Sequence, residues 1–133
     1  KSFSDMKIEK FSDDMLPPSI KKILEGNMPD GKKRALFVLI NFLRAINLDK
    51  KEVETRIEEW NKKNSPSLKE GYIKMQIEWT YSKKAVLPPN YDKDYYKGIG
   101  IIPTAEEMKF KNPVSYILVK NSRKEEDKKG KRK

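Results

Sequence analysis

Residues 32–47 read KKRALFVLINFLRAIN, the most hydrophobic segment of a chain of 133 residues. Apolar side chains recur in it three and four positions apart, which is the spacing of one face of an α-helix. Leu36, Leu39, Ile40, Leu43 and Ile46 form this face, and Phe37, Val38 and Phe42 occupy the others. A segment that is apolar around most of its circumference predicts a central, mostly buried helix.

Proline residues mark the first and last predicted helices. Pro17 and Pro18 suit a first helical turn, where the missing N–H is not needed, and this helix is expected to run to about Gly26. Asn112 before Pro113 combines a capping side chain with a proline at the first helical position. A last helix is therefore expected from that point.

Two capping patterns predict the third and fourth helices. Asp49 with Glu52, and Ser67 with Glu70, each place a side-chain acceptor three residues before an acid. The third helix has one apolar face, formed by Val53, Ile57 and Trp60. The fourth has two such faces, one of Ile73, Ile77 and Tyr81 and the other of Tyr72, Met75 and Trp79. Two apolar faces on one helix indicate two different contacts.

Residues 87–103, LPPNYDKDYYKGIGIIP, interrupt the helical pattern with three prolines and two glycines. Such residues fix the shape of a loop where regular hydrogen bonding does not. We expect an all-α domain of four to five helices and this long irregular loop over residues 1–120. Residues 121–133 carry seven basic and three acidic side chains, which predicts a disordered basic tail.

Composition excludes several classes of function. The chain has no cysteine and no histidine, so it lacks disulfides, thiolate metal sites, cysteine nucleophiles and the commonest general base. Its net charge of +10 favours anionic partners. No apolar run approaches the roughly 18 residues of a membrane helix, and no signal-peptide pattern is found. A cytoplasmic protein is expected.

Three consecutive cations, Lys32, Lys33 and Arg34, fall in the first turn of the central helix. Cations there oppose the helix dipole, so helix stability does not explain them. Free backbone N–H groups and adjacent cations make a phosphate pocket, in which Arg can hold two oxygens. The alternative is a solvated basic turn.

Aromatic residues and lysines are interleaved between residues 60 and 84, which is the composition of surfaces that stack bases. The aromatics are Trp60, Tyr72, Trp79 and Tyr81, and the lysines are Lys62, Lys63, Lys74, Lys83 and Lys84. Aromatics at helical spacing often belong to the core, but Trp60 and Tyr72 are predicted to be exposed. Asn41 is interpreted as a satisfied core amide, with a base reader as the alternative.

Asp92 and Asp94 could hold Mg²⁺ for nucleotidyl transfer, since two carboxylates and substrate phosphates suffice for that ion. Short matches of this kind arise easily, and a third carboxylate is missing. No catalytic residue and no metal site are therefore predicted.

Five segments in order resemble one protein family: LPPSIKKILEG, KKRALFVLINFLRAINL, LPPNYDKDYY, GIGIIP and MKFKNPVSYIL. Together they resemble the C-terminal domain of the large subunit of archaeal and eukaryotic-type DNA primase, over roughly residues 11–119. In that family four cysteines hold a 4Fe–4S cluster. The four cysteine positions correspond here to Ser19, Tyr91, Ile102 (or the adjacent Ile101) and Met108. The chain is thus similar to the cluster-free, non-catalytic third primase subunit of some archaea.

Loss of the cluster implies that packing holds the loop in its place. Ile102 and Met108 are apolar where the family has thiolates, so we expect hydrocarbon to fill the emptied site. Asn112 stands where the family has a histidine before Pro113.

The resemblance implies binding of the initiating nucleoside triphosphate, and later of the 5′-triphosphate end of the RNA primer on template DNA. The implied partners are the catalytic small subunit and the large subunit of the primase, and no cofactor is expected. The residues that match the family's binding positions are Lys32, Lys33, Arg34, Trp60, Tyr72 and Lys74, the last in place of a second tyrosine. Three alternatives stay open: a general single-strand binder, an enzyme built on Asp92 and Asp94, and an adaptor that only bridges subunits.

Overall fold

The computed structural model describes residues 13–120, and this part of the chain is all helical, with five α-helices and no strand. The helices are α1 (Pro18–Leu24), α2 (Lys32–Ala45), α3 (Lys50–Lys62), α4 (Glu70–Tyr81) and α5 (residues 113–120). Short 3₁₀ turns cover Asp13–Met15, Lys97–Ile99 and Glu107–Lys109. The predicted all-α class is confirmed. The predicted basic tail, residues 121–133, lies outside the described residues.

Helix α2 is the centre of the core, as its sequence predicts. Nine of its fourteen residues are buried, and it packs against α3, α4 and the 3₁₀ turn at 97–99. Phe37 is an exception, since 41% of its surface is exposed. Lys33 and Arg34 in its first turn are exposed, so the N-terminal end of α2 lies at the surface, beside the loop before α4 and the 97–99 turn.

Three of the predicted helix starts are confirmed. Helix α1 begins at Pro18. The Asp49 carboxylate accepts a hydrogen bond from the Glu52 N–H at 2.8 Å and caps α3. The Asn112 side-chain oxygen accepts one from the Ser115 N–H at 3.0 Å at the start of α5.

The predicted cap at Ser67 is wrong. Helix α4 begins at Glu70, its N-cap position is Lys69, and no side chain caps it. Asn61 explains the late start, because its amide donates to the Leu68 carbonyl and accepts from the Leu68 N–H, both at 2.8 Å. The backbone N–H and carbonyl of Leu68 are thus both bonded to a side chain of α3. They are not available to a helix, so the helical hydrogen bonds of α4 start only after Leu68.

The long segment between α4 and α5, residues 82–112, is held by its own packing. Tyr91, Tyr96, Ile99 and Ile101 are all buried in the core. The Tyr96 hydroxyl donates to the Pro89 carbonyl at 2.7 Å, and the Tyr91 and Tyr96 rings lie 5.3 Å apart. Aromatic and aliphatic anchors therefore fix a segment that has little regular hydrogen bonding.

Within residues 13–120, none of the helices combines the length and the apolar character that crossing a membrane requires.

Candidate functional site

No side chain of the described residues caps the N-terminal end of α2. Gly31 occupies the N-cap position in a left-handed conformation, with φ of 76°. The first helical bond runs from the Ala35 N–H to the Gly31 carbonyl at 2.9 Å. The N–H groups of Lys32, Lys33 and Arg34 have no acceptor in the described part of the chain. Positive partial charge therefore collects at this helix end.

A solvent-open cleft of about 500 Å³ lies directly in front of this helix end. We call it the α2 cleft, and its lining residues are Asp30, Gly31, Lys32, Lys33, Arg34, Pro66, Ser67, Leu68 and Gly98. The sequence predicted a phosphate pocket at the three cations. The structure places these cations beside the loop before α4 and the 97–99 turn.

The three cations of the α2 cleft are available to a ligand. Lys33 and Arg34 are exposed and Lys32 is half-buried. Among the residues that the structure describes, none of the three forms an ion pair. The Asp30 carboxylate, which also lines the cleft, accepts a hydrogen bond from the Gly31 N–H at 2.8 Å. An anion that enters the cleft thus meets cations that are not already neutralised.

Two glycines allow the walls of the cleft to approach each other. A Cβ on Gly31 would lie 2.7 Å from Cγ2 of Ile99, and its positive φ disfavours any larger residue. A Cβ on Gly98 would lie 2.8 Å from Nη1 of Arg34. The guanidinium group is therefore seated against the 97–99 backbone.

Two tyrosines flank the cations. The Lys33 ammonium lies 4.9 Å from the centre of the Tyr72 ring, and the Arg34 guanidinium lies 5.9 Å from that of Tyr95. Both rings are half-buried, and both pack against the core. Burial raises the pKa of the Tyr95 hydroxyl, and nearby Arg34 partly offsets this. The rings of Tyr72 and Tyr95 thus lie beside the cations at distances typical of cation–π contacts.

Tyr95 was missed by sequence reasoning, although it lies in the loop segment that the sequence singled out. Its ring also contacts Phe37 of α2, with ring centres 5.9 Å apart. The only signal was the aromatic pair Tyr95–Tyr96, and nothing in that pair tells which ring turns inward. Tyr96 is buried and Tyr95 faces the cations.

Trp60 is not part of the surface, and the prediction that it is exposed is wrong. Only 1% of its surface is accessible, and its indole N–H donates to the Ile23 carbonyl at 2.8 Å. Trp60 continues the apolar face of Val53 and Ile57, which are also fully buried. The helical spacing that puts Trp60 on the same face as Val53 and Ile57 therefore places it in the core.

Lys74 also lies away from the α2 cleft, contrary to its predicted place beside Tyr72. It lines a groove between α3 and α4 with Glu58 and Lys62. Residues two apart on a helix are about 200° apart around its axis, so Lys74 and Tyr72 cannot share a face.

Asn41 is a satisfied core amide, as interpreted from the sequence. It is buried, and its side-chain N–H donates to the Phe37 carbonyl at 2.8 Å.

Ser19 and Tyr91, two of the four residues that the resemblance matches to cysteines, belong to a buried polar network. The Ser19 hydroxyl and the Tyr91 hydroxyl both donate to Oε2 of Glu107, at 2.5 and 2.8 Å, and lie 3.1 Å apart. The Ser19 N–H also donates to this oxygen at 3.0 Å. Oε1 of Glu107 accepts from the Thr104 N–H at 3.0 Å. Glu107 itself is completely buried.

The expectation that Ile102 and Met108 fill this place with hydrocarbon is wrong. Ile102 is 82% exposed and Met108 is 50% exposed. The neighbours of these two residues point inward instead, since Ile101 and Glu107 are buried. A carboxylate with its donors, rather than apolar side chains, ties α1 to the 82–112 segment.

The residues that the structure describes contain no group of three or more acidic side chains placed to hold a metal ion. Asp92 and Asp94 are both exposed in the turn before the 97–99 turn.

Comparison with family models, with curated proteins and with solved structures finds no match for this chain. Its likeness to the primase domain therefore depends on the ordered sequence segments, and the site is interpreted from its own geometry.

Proposed function

We propose that the chain is a non-catalytic subunit of a heteromeric DNA primase, which binds the initiating nucleotide and then the 5′-triphosphate end of the RNA primer on template DNA. The observation that carries the proposal is the α2 cleft. There a helix N-terminus and three cations, with no cap and no ion-pair partner among residues 13–120, face an open space of about 500 Å³. The ordered segments that resemble the primase domain support the choice of a primase.

The phosphates occupy the end of α2. The free N–H groups of its first turn point along the helix axis into the cleft, where they can donate to phosphate oxygens. Arg34 supplies a planar, two-pronged donor held against Gly98, while Lys32 and Lys33 supply point charges. The net charge of +10 attracts polyanions to this surface over a longer distance.

The base and ribose lie beside the tyrosine rings in this proposal. Tyr72 and Tyr95 each lie next to a cation of the cleft. In this proposal Tyr95 takes the base-stacking role that the sequence analysis assigned to Trp60. Because both rings pack against the core, they lose little conformational freedom when they stack on a base.

Bond formation belongs to the partner subunits. The catalytic small subunit carries out the transfer, with the large subunit as the other partner. The chain presents a triphosphate to them and holds it while the primer grows.

Binding of ATP to charge variants of the cleft tests the proposal. Arg34→Gln and Lys33→Gln each remove one cation, and we expect each to weaken ATP binding roughly tenfold, equivalent to about 1.4 kcal/mol. The matched control is Lys51→Gln, which removes the same charge from an exposed position outside the cleft. Isothermal titration calorimetry at low salt measures all four proteins. If the cleft variants bind ATP as tightly as the control, the proposal is wrong.

A general single-strand binder is the second candidate. Trp79 favours it, because this ring is 54% exposed and carries the Lys83 ammonium 3.6 Å from its centre. Such a protein would not distinguish a 5′-triphosphate from a 5′-hydroxyl end.

A further inference from the structure

Met75 and Trp79, on the outer face of α4, lie outside the core. Ile73 and Ile77 on the inner face are 5% and 2% exposed, whereas Met75 and Trp79 are 57% and 54% exposed. Tyr72, Met75 and Trp79 are spaced three and four residues apart, so they lie in one row along the helix. We call this row the α4 stripe. It is the second of the two apolar faces that the sequence showed on this helix.

Two lysines border the outer part of the α4 stripe. Lys83 stacks on Trp79, and Lys74 lies beside Met75 and Trp79, although not beside Tyr72. The one acidic side chain among the residues around Met75 and Trp79 in the described chain is Glu78, which is paired with Lys50. The surface is therefore aromatic and positively charged. Protein-binding surfaces are depleted in lysine, whereas aromatic rings between cations are typical of surfaces that bind single-stranded nucleic acid.

The α4 stripe begins at the α2 cleft. Tyr72 contacts Lys33, which lines the cleft, and Trp79 follows seven residues later on the same face. Seven residues of helix cover about 10 Å. Stacked nucleotides of one strand are about 3.4 Å apart along the helix axis, so a strand that keeps this stacking covers the distance in roughly three nucleotides.

We propose that the α4 stripe binds the single-stranded nucleic acid that continues from the nucleotide in the α2 cleft, and that a base roughly three nucleotides from the triphosphate stacks on Trp79. This inference rests on the proposed binding of a triphosphate end in the cleft. Lys83 lies over the indole ring and contributes charge to the neighbouring phosphate, and 54% of the Trp79 surface remains exposed to a base.

Binding of ATP and of 5′-triphosphate hexa-adenylate tests the inference. Wild type should bind the oligonucleotide about tenfold or more tightly than ATP, and Trp79→Ala should reduce this ratio about tenfold. Trp79→Phe, which keeps a ring, should restore most of the ratio. The control is Ile102→Ala, which removes another exposed apolar side chain and should leave the ratio as in wild type. Circular dichroism checks that all four proteins are folded.

Tryptophan fluorescence gives an independent reading. The chain has two tryptophans, and Trp60 is buried, so a base that stacks on Trp79 should quench the exposed part of the emission. Hexa-adenylate with a 5′-triphosphate should quench it, and ATP should not. If ATP binds but the oligonucleotide gains no affinity and no quenching, the inference is wrong and the proposed function stands. If Trp79→Ala leaves oligonucleotide binding unchanged but abolishes binding to the other primase subunits, the inference is also wrong and the proposed function stands. If ATP does not bind at all, the proposed function itself fails.

Discussion

The Glu107 carboxylate is fully buried and accepts four hydrogen bonds. The donors are the Ser19 N–H and hydroxyl, the Tyr91 hydroxyl and the Thr104 N–H. Glu107→Gln replaces one acceptor oxygen by an NH₂ group that faces donors. We expect it to lower the free energy of unfolding by about 2 kcal/mol, the typical cost of leaving buried polar groups unpaired. Urea denaturation measures the loss. The control Glu59→Gln, at an exposed position, should change stability by less than about 0.5 kcal/mol. Equal effects of the two substitutions would mean that the network does not hold α1 to the 82–112 segment.

Burial raises the pKa of the Tyr91 and Tyr96 hydroxyls above the usual value of 10.0. The folded state therefore keeps these protons at a pH at which the unfolded chain loses them. Their contribution to stability is complete below the unfolded pKa and is lost as the pH rises above it. Tyr96→Phe removes one of the two groups, so its stability should fall less steeply above pH 10, by up to about 1.4 kcal/mol per pH unit. Urea midpoints at several pH values above and below 10 measure the two slopes, and parallel curves for the two proteins would contradict this expectation.

At the scale of elements, α3 and α4 start in physically different ways. Asp49 caps α3, whereas Ser67 does not cap α4, because Asn61 holds Leu68. Asp49→Ala should therefore lower the free energy of unfolding by about 1 kcal/mol, and Ser67→Ala should leave it almost unchanged. Thermal or urea denaturation compares the two variants. A loss on Ser67→Ala as large as that on Asp49→Ala would show that Ser67 supports the helix after all.

Sequence periodicity predicted the helices and their faces, but it could not tell which apolar face would be covered. Val53, Ile57 and Trp60 form the only apolar face of α3, and such a face goes to the core, so Trp60 was a poor choice for an exposed ring. Helix α4 has two apolar faces, and only packing decides that Ile77 is inside and Trp79 outside. Lys74 was assigned to the wrong side of α4 because a family position was carried over without regard to the 200° between it and Tyr72.

At the scale of the whole molecule, contacts between distant segments set the limit of prediction. Ser19 and Glu107 are 88 positions apart, and no local pattern connects them. The contact between Tyr95 and Arg34 is also between distant segments, because the 82–112 segment folds back onto α2. The three cations of the cleft were predictable because they are adjacent in the sequence and oppose the helix dipole. The walls that turn them into a site, Leu68 and Gly98, were not.

The central claim is that the α2 cleft recognises a triphosphate end, and one comparison tests it most directly. Wild type is titrated with two hexa-adenylates that differ only in carrying a 5′-triphosphate or a 5′-hydroxyl group. The account predicts at least about tenfold tighter binding of the triphosphate form, a preference that shrinks with added salt and is lost in a Lys33→Gln, Arg34→Gln double variant. Equal affinity for the two oligonucleotides in wild type would contradict it.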